Sequence, residues 1–100
     1  MKSGLAFDWD DANVGHLARH RVRPAEAEQV LKGGSLPLGS EDYDDEERHT
    51  ELGETVSGRL LMVAWTWRRG RIRVVTAFPP GRKWKSLWKK REKEAQYGEA

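Results

Sequence analysis

Apolar residues recur at helical spacing in two segments near the start of the chain. Val14 and Leu17 predict a short helix over Asp10–His20, whose leading aspartates can accept hydrogen bonds from the unpaired N–H groups of a first turn. A second helix is expected to begin at Pro24, because proline is tolerated in a first turn. It is expected to end at Gly33-Gly34, since glycine readily adopts the conformation that closes a helix.

Strand patterns dominate the middle of the chain. The apolar, partly β-branched runs Arg59–Trp67 and Arg71–Phe78 flank a turn that contains Gly70, which predicts an antiparallel hairpin. A preceding strand is expected over Arg48–Gly53, and the pattern allows a short strand around Leu36–Leu38. The sheet is therefore expected to have about three to four antiparallel strands.

Side chains of the last predicted strand should alternate between its two sides. One side is expected to carry Ile72, Val74, Thr76 and Phe78, and the other Arg71, Arg73, Val75 and Ala77. The first side is suited to the core. The second would present arginines on a rigid sheet surface.

After Pro79-Pro80-Gly81 breaks the strand, the segment Arg82–Tyr97 has the pattern of a basic amphipathic helix. Its apolar stripe consists of Trp84, Leu87, Trp88 and Ala95. Two N-terminal helices, an antiparallel sheet and a C-terminal basic helix together predict an α+β fold.

The acidic run Glu41–Glu47 is typical of a solvated loop. Its alternating acids resemble a calcium-binding loop, but Glu47 stands where that loop requires glycine, so calcium binding is not expected.

The composition fits one small domain over residues 1–100. The chain has no cysteine, which excludes disulfides and thiolate chemistry and suits a reducing compartment. It has no apolar stretch approaching about 18 residues, so we expect a cytoplasmic protein without a membrane span.

Charge is distributed unevenly along the chain. Residues 1–57 contain 6 Lys/Arg and 13 Asp/Glu, whereas residues 58–100 contain 12 Lys/Arg and 3 Asp/Glu. A cationic half indicates a surface for a polyanion or an acidic partner, unless the two halves neutralise each other in the fold.

Several of these segments, in this order, resemble the BrnT toxins, which are RelE-like ribonucleases of type II toxin-antitoxin systems. The segments are Phe7-Asp8-Trp9-Asp10, His20-Arg21-Val22, Glu47-Arg48, Gly58–Val63 and Arg71–Ala77. The resemblance covers roughly residues 7 to 77. It implies a RelE-like fold, metal-independent RNA cleavage without a cofactor, growth inhibition, and neutralisation by a BrnA-like antitoxin that binds operator DNA.

The chain departs from this family pattern at its C-terminal end. Relatives usually continue the last strand with an arginine, where this chain has Phe78, and soon reach a short basic segment with a glutamate and a tyrosine. Here Pro79-Pro80-Gly81 and a longer helix precede Glu94 and Tyr97. Arg23 also replaces a serine that often caps the second helix. The catalytic properties of the family are therefore least transferable to the C-terminal part of this chain.

Metal-free RNA cleavage needs cations that stabilise charge developing on the phosphate. Arg73 is the first candidate, because a guanidinium on a rigid strand can bind two phosphate oxygens. Arg48 and Arg59 are expected to join it from neighbouring strands. The alternative is that each is a solvated strand residue or a partner of the acidic run.

Cleavage also needs a group that exchanges protons. His49 is the candidate, since imidazole titrates near neutral pH and His49 adjoins Arg48 on a predicted strand. His16 and His20 are interpreted as helix-packing or helix-end residues, because their spacing without a third ligand does not indicate a metal site.

The C-terminal helix offers an RNA-binding surface in which lysines follow the backbone and a tryptophan stacks on a base. The candidates are Lys83, Trp84, Lys85, Trp88 and Lys89. In the alternative interpretation, the tryptophans form the core-facing stripe and the lysines are a solvated face.

Three functions are compatible with these features. The first is an endoribonuclease toxin. The second is a catalytically weakened family member that mainly holds the antitoxin in a DNA-binding autorepressor complex, and the third is a general RNA-binding module.

Overall fold

A computed structural model of the chain describes the backbone of residues 4–97 and the side chains of residues 4–95. The elements in chain order are α1 (Asp11–Ala18), α2 (Pro24–Lys32), β1 (Leu36–Tyr43), β2 (Glu46–Glu54), β3 (Leu60–Arg68), β4 (Arg71–Phe78) and α3 (Arg82–Tyr97). The four strands form one antiparallel sheet in the order β1-β2-β3-β4. The predicted α+β fold with two N-terminal helices and one C-terminal helix is confirmed.

Asp10 caps the start of α1, as the sequence indicated. Its side chain accepts hydrogen bonds from the backbone N–H groups of Ala12 and Asn13, and the Asn13 side chain in turn accepts one from the Asp10 N–H. This reciprocal pair satisfies donors that a helix start otherwise leaves unpaired. The helix ends at Ala18, two residues earlier than predicted.

The acidic run is a β-hairpin rather than the solvated loop that its composition predicted. Glu41 lies in β1 opposite Arg48 of β2, and Tyr43 pairs with Glu46 across the turn. Asp44 and Asp45 form that turn with φ angles of 51° and 63°, a conformation that aspartate tolerates better than most residues. The sheet therefore gains an exposed, acidic first strand.

Each side of the sheet carries its own core. On the side that we call the α2 face, Leu61, Val63 and Val74 pack with Val30 and Leu31 of α2. The opposite side, the α3 face, holds a smaller cluster in which Trp88 and Trp84 of α3 pack with Leu52, Met62 and Phe78. Because α3 covers only part of its face, the remainder of that sheet surface stays open.

A β-bulge in β4 corrects the predicted alternation. Trp65 pairs with Val74 whereas Ala64 pairs with Thr76, so Val75 is an extra residue between two regular pairs. The extra residue shifts the alternation, so residues after the bulge face the sides opposite to those predicted. Ala77 joins the core on the α2 face, and Phe78 packs on the α3 face. The predicted common side of Ile72, Val74 and Phe78 is therefore wrong beyond the bulge.

The outer edge of β4 is covered by the N-terminal segment and α1. The backbone N–H and carbonyl of Ile72 bond to the Ala6 carbonyl and the Asp8 N–H, each at 2.9 Å. The Asn13 side chain donates to the Val74 carbonyl at 3.1 Å. These bonds hold α1 along β4, where it borders the open part of the α3 face. In the described part of the chain no helix combines the length and apolarity that crossing a bilayer requires.

Candidate functional site

A pocket of about 320 Å³ lies between α1 and the open part of the α3 face. Its chemistry-bearing lining residues are His16, Glu46, Arg48, Thr66, Arg68 and Arg73. Three guanidinium groups therefore surround one concavity, together with a carboxylate and an imidazole. This combination suits an anionic ligand that undergoes proton transfer.

The sheet register brings two of the predicted arginines together. Thr66 of β3 pairs with Arg73 of β4, and the Thr66 hydroxyl donates to the Glu47 carbonyl at 2.8 Å, beside Arg48 of β2. Residues that lie opposite each other in a sheet point to the same side. Arg48, Thr66 and Arg73 thus form a row across three strands on the floor of the pocket.

Arg73 is fixed by two aspartates at the start of α1. Its Nη1 and Nη2 donate to the two carboxylate oxygens of Asp10 at 3.0 and 3.1 Å, and Nη1 lies 3.6 Å from Asp8. The hydrogen bond with Arg73 lowers the pKa of Asp10, and the same bond raises the pKa of Arg73. The side chain of Arg73 is only 15% exposed. Its paired donors are therefore occupied by Asp10.

Arg48 is held more loosely than Arg73. Its guanidinium carbon lies 4.2 Å from the centre of the Tyr43 ring, and its Nε lies 3.5 Å from a carboxylate oxygen of Glu46. That buried Nε has no hydrogen-bond partner within residues 4–95. Arg48 therefore lacks the paired hydrogen bonds to a carboxylate that fix Arg73.

Arg59 does not join this row. It immediately precedes β3, at the opposite end of that strand from Thr66. Its Nη1 donates to the Arg21 carbonyl at 2.7 Å and to Glu26 at 3.1 Å, so it ties the connection between α1 and α2 to the sheet. The expectation that Arg59 shares a site with Arg48 and Arg73 is corrected, because its guanidinium has a structural partner elsewhere.

The pair of Glu26 and Arg59 predicts part of the pH dependence of stability. Burial raises the pKa of Glu26, but hydrogen bonds from the Arg23 N–H and from Arg59 outweigh it and hold that pKa below 4.5. A carboxyl whose pKa is lowered by folding stabilises the fold above its unfolded pKa, and this stabilisation is lost as the pH falls through the folded pKa. The free energy of unfolding should therefore decrease below pH 4.5.

Replacing Glu26 with glutamine should flatten this acid dependence and cost about 1–3 kcal/mol at neutral pH, because a charged hydrogen bond is lost. Urea unfolding curves recorded from about pH 3 to about pH 7 measure both effects. Glu54→Gln is the matched control, since Glu54 is exposed. Equal acid slopes for Glu26→Gln and the unsubstituted chain would contradict the assignment.

His49 lies on the other side of the sheet from the pocket. It pairs with Trp65 and stacks on that ring, with 4.4 Å between ring centres and an interplanar angle of 22°. Adjacent residues in a strand point to opposite sides, so His49 faces away from the Arg48 side chain. The expected cooperation of His49 with Arg48 and Arg73 is therefore corrected.

His16, which the sequence assigned to helix packing or to a helix end, lies in the last turn of α1 and also lines the pocket. It is exposed on α1, one helical turn after Ala12, which borders the same pocket. The helical spacing of these residues predicts a common side of α1. No pattern in the sequence indicates that this side borders the arginine row, since that depends on how α1 packs along β4.

The predicted RNA-binding residues of α3 divide into two groups. Lys83, Lys85 and Lys89 are exposed. Trp88 is only 6% exposed and packs in the core on the α3 face, with the half-buried Trp84 beside it. The expected stacking of Trp88 on a base is corrected, because its ring is already covered by the sheet.

An antiparallel sheet with a cationic pocket beside a packed helix defines a small α+β protein suited to a phosphodiester ligand. The family model described as "Ribonuclease toxin, BrnT, of type II toxin-antitoxin system" matches residues 9–83. The chain therefore belongs to the BrnT family of ribonuclease toxins, for which an antitoxin is the implied partner. No curated protein matches the chain significantly.

The match confirms the resemblance seen in the sequence and covers every pocket residue, from α1 to β4. It ends just after the beginning of α3. The pocket thus belongs to the shared part of the family, whereas most of α3 lies outside the match.

Proposed function

We propose that this chain is a metal-independent endoribonuclease toxin that cleaves RNA in the pocket between α1 and the α3 face. In this proposal it inhibits growth, and a BrnA-like antitoxin neutralises it and supplies the contact with operator DNA. The proposal rests mainly on one observation: Arg48 and Arg73 share a pocket with an imidazole, His16, and a carboxylate, Glu46. Membership of a ribonuclease toxin family supports the same function.

The pocket supplies each group that metal-free cleavage requires. Glu46 accepts the proton of the RNA 2′-hydroxyl, and the 2′-oxygen forms a bond to phosphorus as the bond from phosphorus to the 5′-oxygen breaks. His16 donates a proton to the departing 5′-oxygen. The products are a 2′,3′-cyclic phosphate and a free 5′-hydroxyl, so all atoms and charges are accounted for.

The arginines have different roles in this mechanism. Arg48 donates to the phosphate oxygens as negative charge develops on them, because its guanidinium is the less occupied one. Arg73 is a positioning residue: its two bonds to Asp10 fix the start of α1, the helix that carries His16. It also adds a positive charge close to the phosphate.

Cleavage of RNA by purified toxin in EDTA tests this function. We expect a 2′,3′-cyclic phosphate product, and Arg48→Gln should lower kcat about 10²- to 10³-fold, the usual cost of removing one preorganised donor. Arg21→Gln removes the same charge from an exposed residue in the connection between α1 and α2, away from the pocket, and should leave kcat unchanged. Equal rates for the two variants would refute the assignment of Arg48.

A second function is favoured by one observation: Asp10 already occupies the paired donors of Arg73. On this alternative, the chain is a catalytically weakened member that mainly binds the antitoxin in an autorepressor complex. Retained antitoxin and operator binding with no cleavage in EDTA would support it. Growth arrest on expression without antitoxin would argue against the remaining hypothesis, a general RNA-binding module.

A further inference from the structure

The two-residue turn between β3 and β4 carries an arginine in an unfavourable backbone conformation. Arg69 has φ 53° and Gly70 has φ 76°, which are the signs that a tight hairpin turn of this type requires. Asparagine, aspartate or glycine usually occupies the first position, because side chains with a longer stem are disfavoured at positive φ. Hairpin formation alone therefore does not explain an arginine at this position.

Arginines also flank this turn. Arg68 and Arg71 pair with each other at its base, and together with Arg69 and Asp8 they line a concavity of about 370 Å³. Arg68 lies 4.0 Å from Asp8, whereas Arg69 and Arg71 are exposed and have no ion pair within the part of the chain that the structure describes. The turn therefore carries two exposed guanidinium groups without an ion-pair partner among the described residues.

This cationic turn is continuous with the candidate active site. Arg68 lines both the turn concavity and the pocket that contains Arg48 and Arg73. The pair Arg68 and Arg71 follows the pair Thr66 and Arg73 two residues further along the strands, a separation of roughly 7 Å. Successive phosphates of an extended single strand are spaced similarly.

We propose that the β3–β4 turn binds the RNA phosphate next to the scissile one, with Arg69 at its tip and Arg68 and Arg71 at its base. This inference rests on the proposed cleavage of RNA in the adjoining pocket. Contact between the Arg69 guanidinium and the RNA backbone would explain why a strained arginine stands at the tip. A phosphate held there would place the neighbouring, scissile phosphate over the row formed by Arg48 and Arg73.

RNA is favoured over an acidic segment of the antitoxin as the ligand, because the turn and the catalytic pocket share Arg68. An RNA strand that crosses from the turn to the catalytic pocket presents a negatively charged phosphate at both places. An antitoxin segment has no comparable requirement for charges at this regular spacing.

Arg69→Asn provides a sharp test, because asparagine suits the turn better than arginine but lacks the charge. Binding is measured by fluorescence anisotropy with a fully 2′-O-methylated oligoribonucleotide, which lacks the attacking hydroxyl. We expect weaker binding, and a slope of log affinity against log salt concentration that is smaller by about 0.7, the value for one single-strand phosphate contact. The melting temperature should stay constant or rise by a few degrees, which excludes unfolding as the cause.

Arg21→Asn is the matched control. Arg21 is also exposed and also has a positive φ of 58°, but it lies beside Arg59 at the opposite end of β3. It should gain the same relief of strain and lose the same charge without a change in the salt slope. Arg69→Lys, which keeps the charge, should keep the slope.

An unchanged slope for Arg69→Asn, or an equal loss for Arg21→Asn, would overturn the proposed phosphate site. So would unaltered RNA binding accompanied by weaker antitoxin binding, which would assign the turn to the antitoxin. Cleavage of unmodified RNA in EDTA is measured in parallel. Its absence refutes the nuclease, whereas cleavage with an unchanged slope refutes only the turn site.

Discussion

Replacing His16 with glutamine is expected to lower kcat for RNA cleavage by about 10²- to 10⁴-fold, the usual contribution of a positioned acid or base. His16 lines the pocket that holds Arg48 and Arg73, and in the proposed mechanism it protonates the leaving 5′-oxygen. Glutamine has a similar polarity but exchanges no proton near neutral pH. The KM for RNA should change little, because the substitution affects proton transfer rather than binding.

His49→Gln is the matched control for His16→Gln. His49 stacks on Trp65 on the opposite side of the sheet, so its loss should leave kcat unchanged. Steady-state kinetics of RNA cleavage at one neutral pH give kcat and KM for both variants. A large loss for His49→Gln with a normal rate for His16→Gln would reverse the assignment and restore the expectation from sequence.

Much of the fold could be predicted because its local signals are strong. Asp10 and Pro24 stand at helix starts, and Gly70 stands in a hairpin turn. The composition of the acidic run does not predict a hairpin, because aspartate and glutamate disfavour strands. Its first strand, β1, is stabilised by pairing with β2, a tertiary interaction that composition does not reveal.

The candidate site was only partly predictable for two different physical reasons. Adjacency in the sequence suggests that His49 cooperates with Arg48, but side chains alternate along a strand and these two lie on opposite sides of the sheet. Arg59 and Arg73 both belong to strand patterns, but strand membership does not indicate which ends of neighbouring strands lie together. The position of His16 depends on the packing of α1 along β4, and no local pattern encodes it.

Asp10 links the fold to the site in a way that its sequence position concealed. As a helix cap it was expected to bond to backbone N–H groups, and it does so at Ala12 and Asn13. The same carboxylate binds both terminal nitrogens of Arg73. A single side chain thus caps the start of α1 and joins this helix to the sheet, which explains how α1 keeps His16 beside the arginine row.

Trp88→Ala is expected to lower the free energy of unfolding by about 3–5 kcal/mol, the usual cost of truncating a buried tryptophan. Trp88 is only 6% exposed and packs with Leu52 and Met62, so its removal leaves a cavity between α3 and the sheet. A domain of this size is stable by roughly 5–15 kcal/mol. The variant should therefore unfold at a much lower urea concentration.

Two further variants separate this core role from the stacking role that the sequence allowed. Trp88→Phe should cost far less than Trp88→Ala, because it keeps most of the apolar volume and removes a buried Nε1 that has no hydrogen-bond partner within residues 4–95. Lys89→Ala, on the exposed side of α3, should change stability by less than about 0.5 kcal/mol and weaken RNA binding only at low salt. A Trp88→Ala protein of normal stability that has lost RNA affinity would show instead that the ring leaves the core to stack on a base.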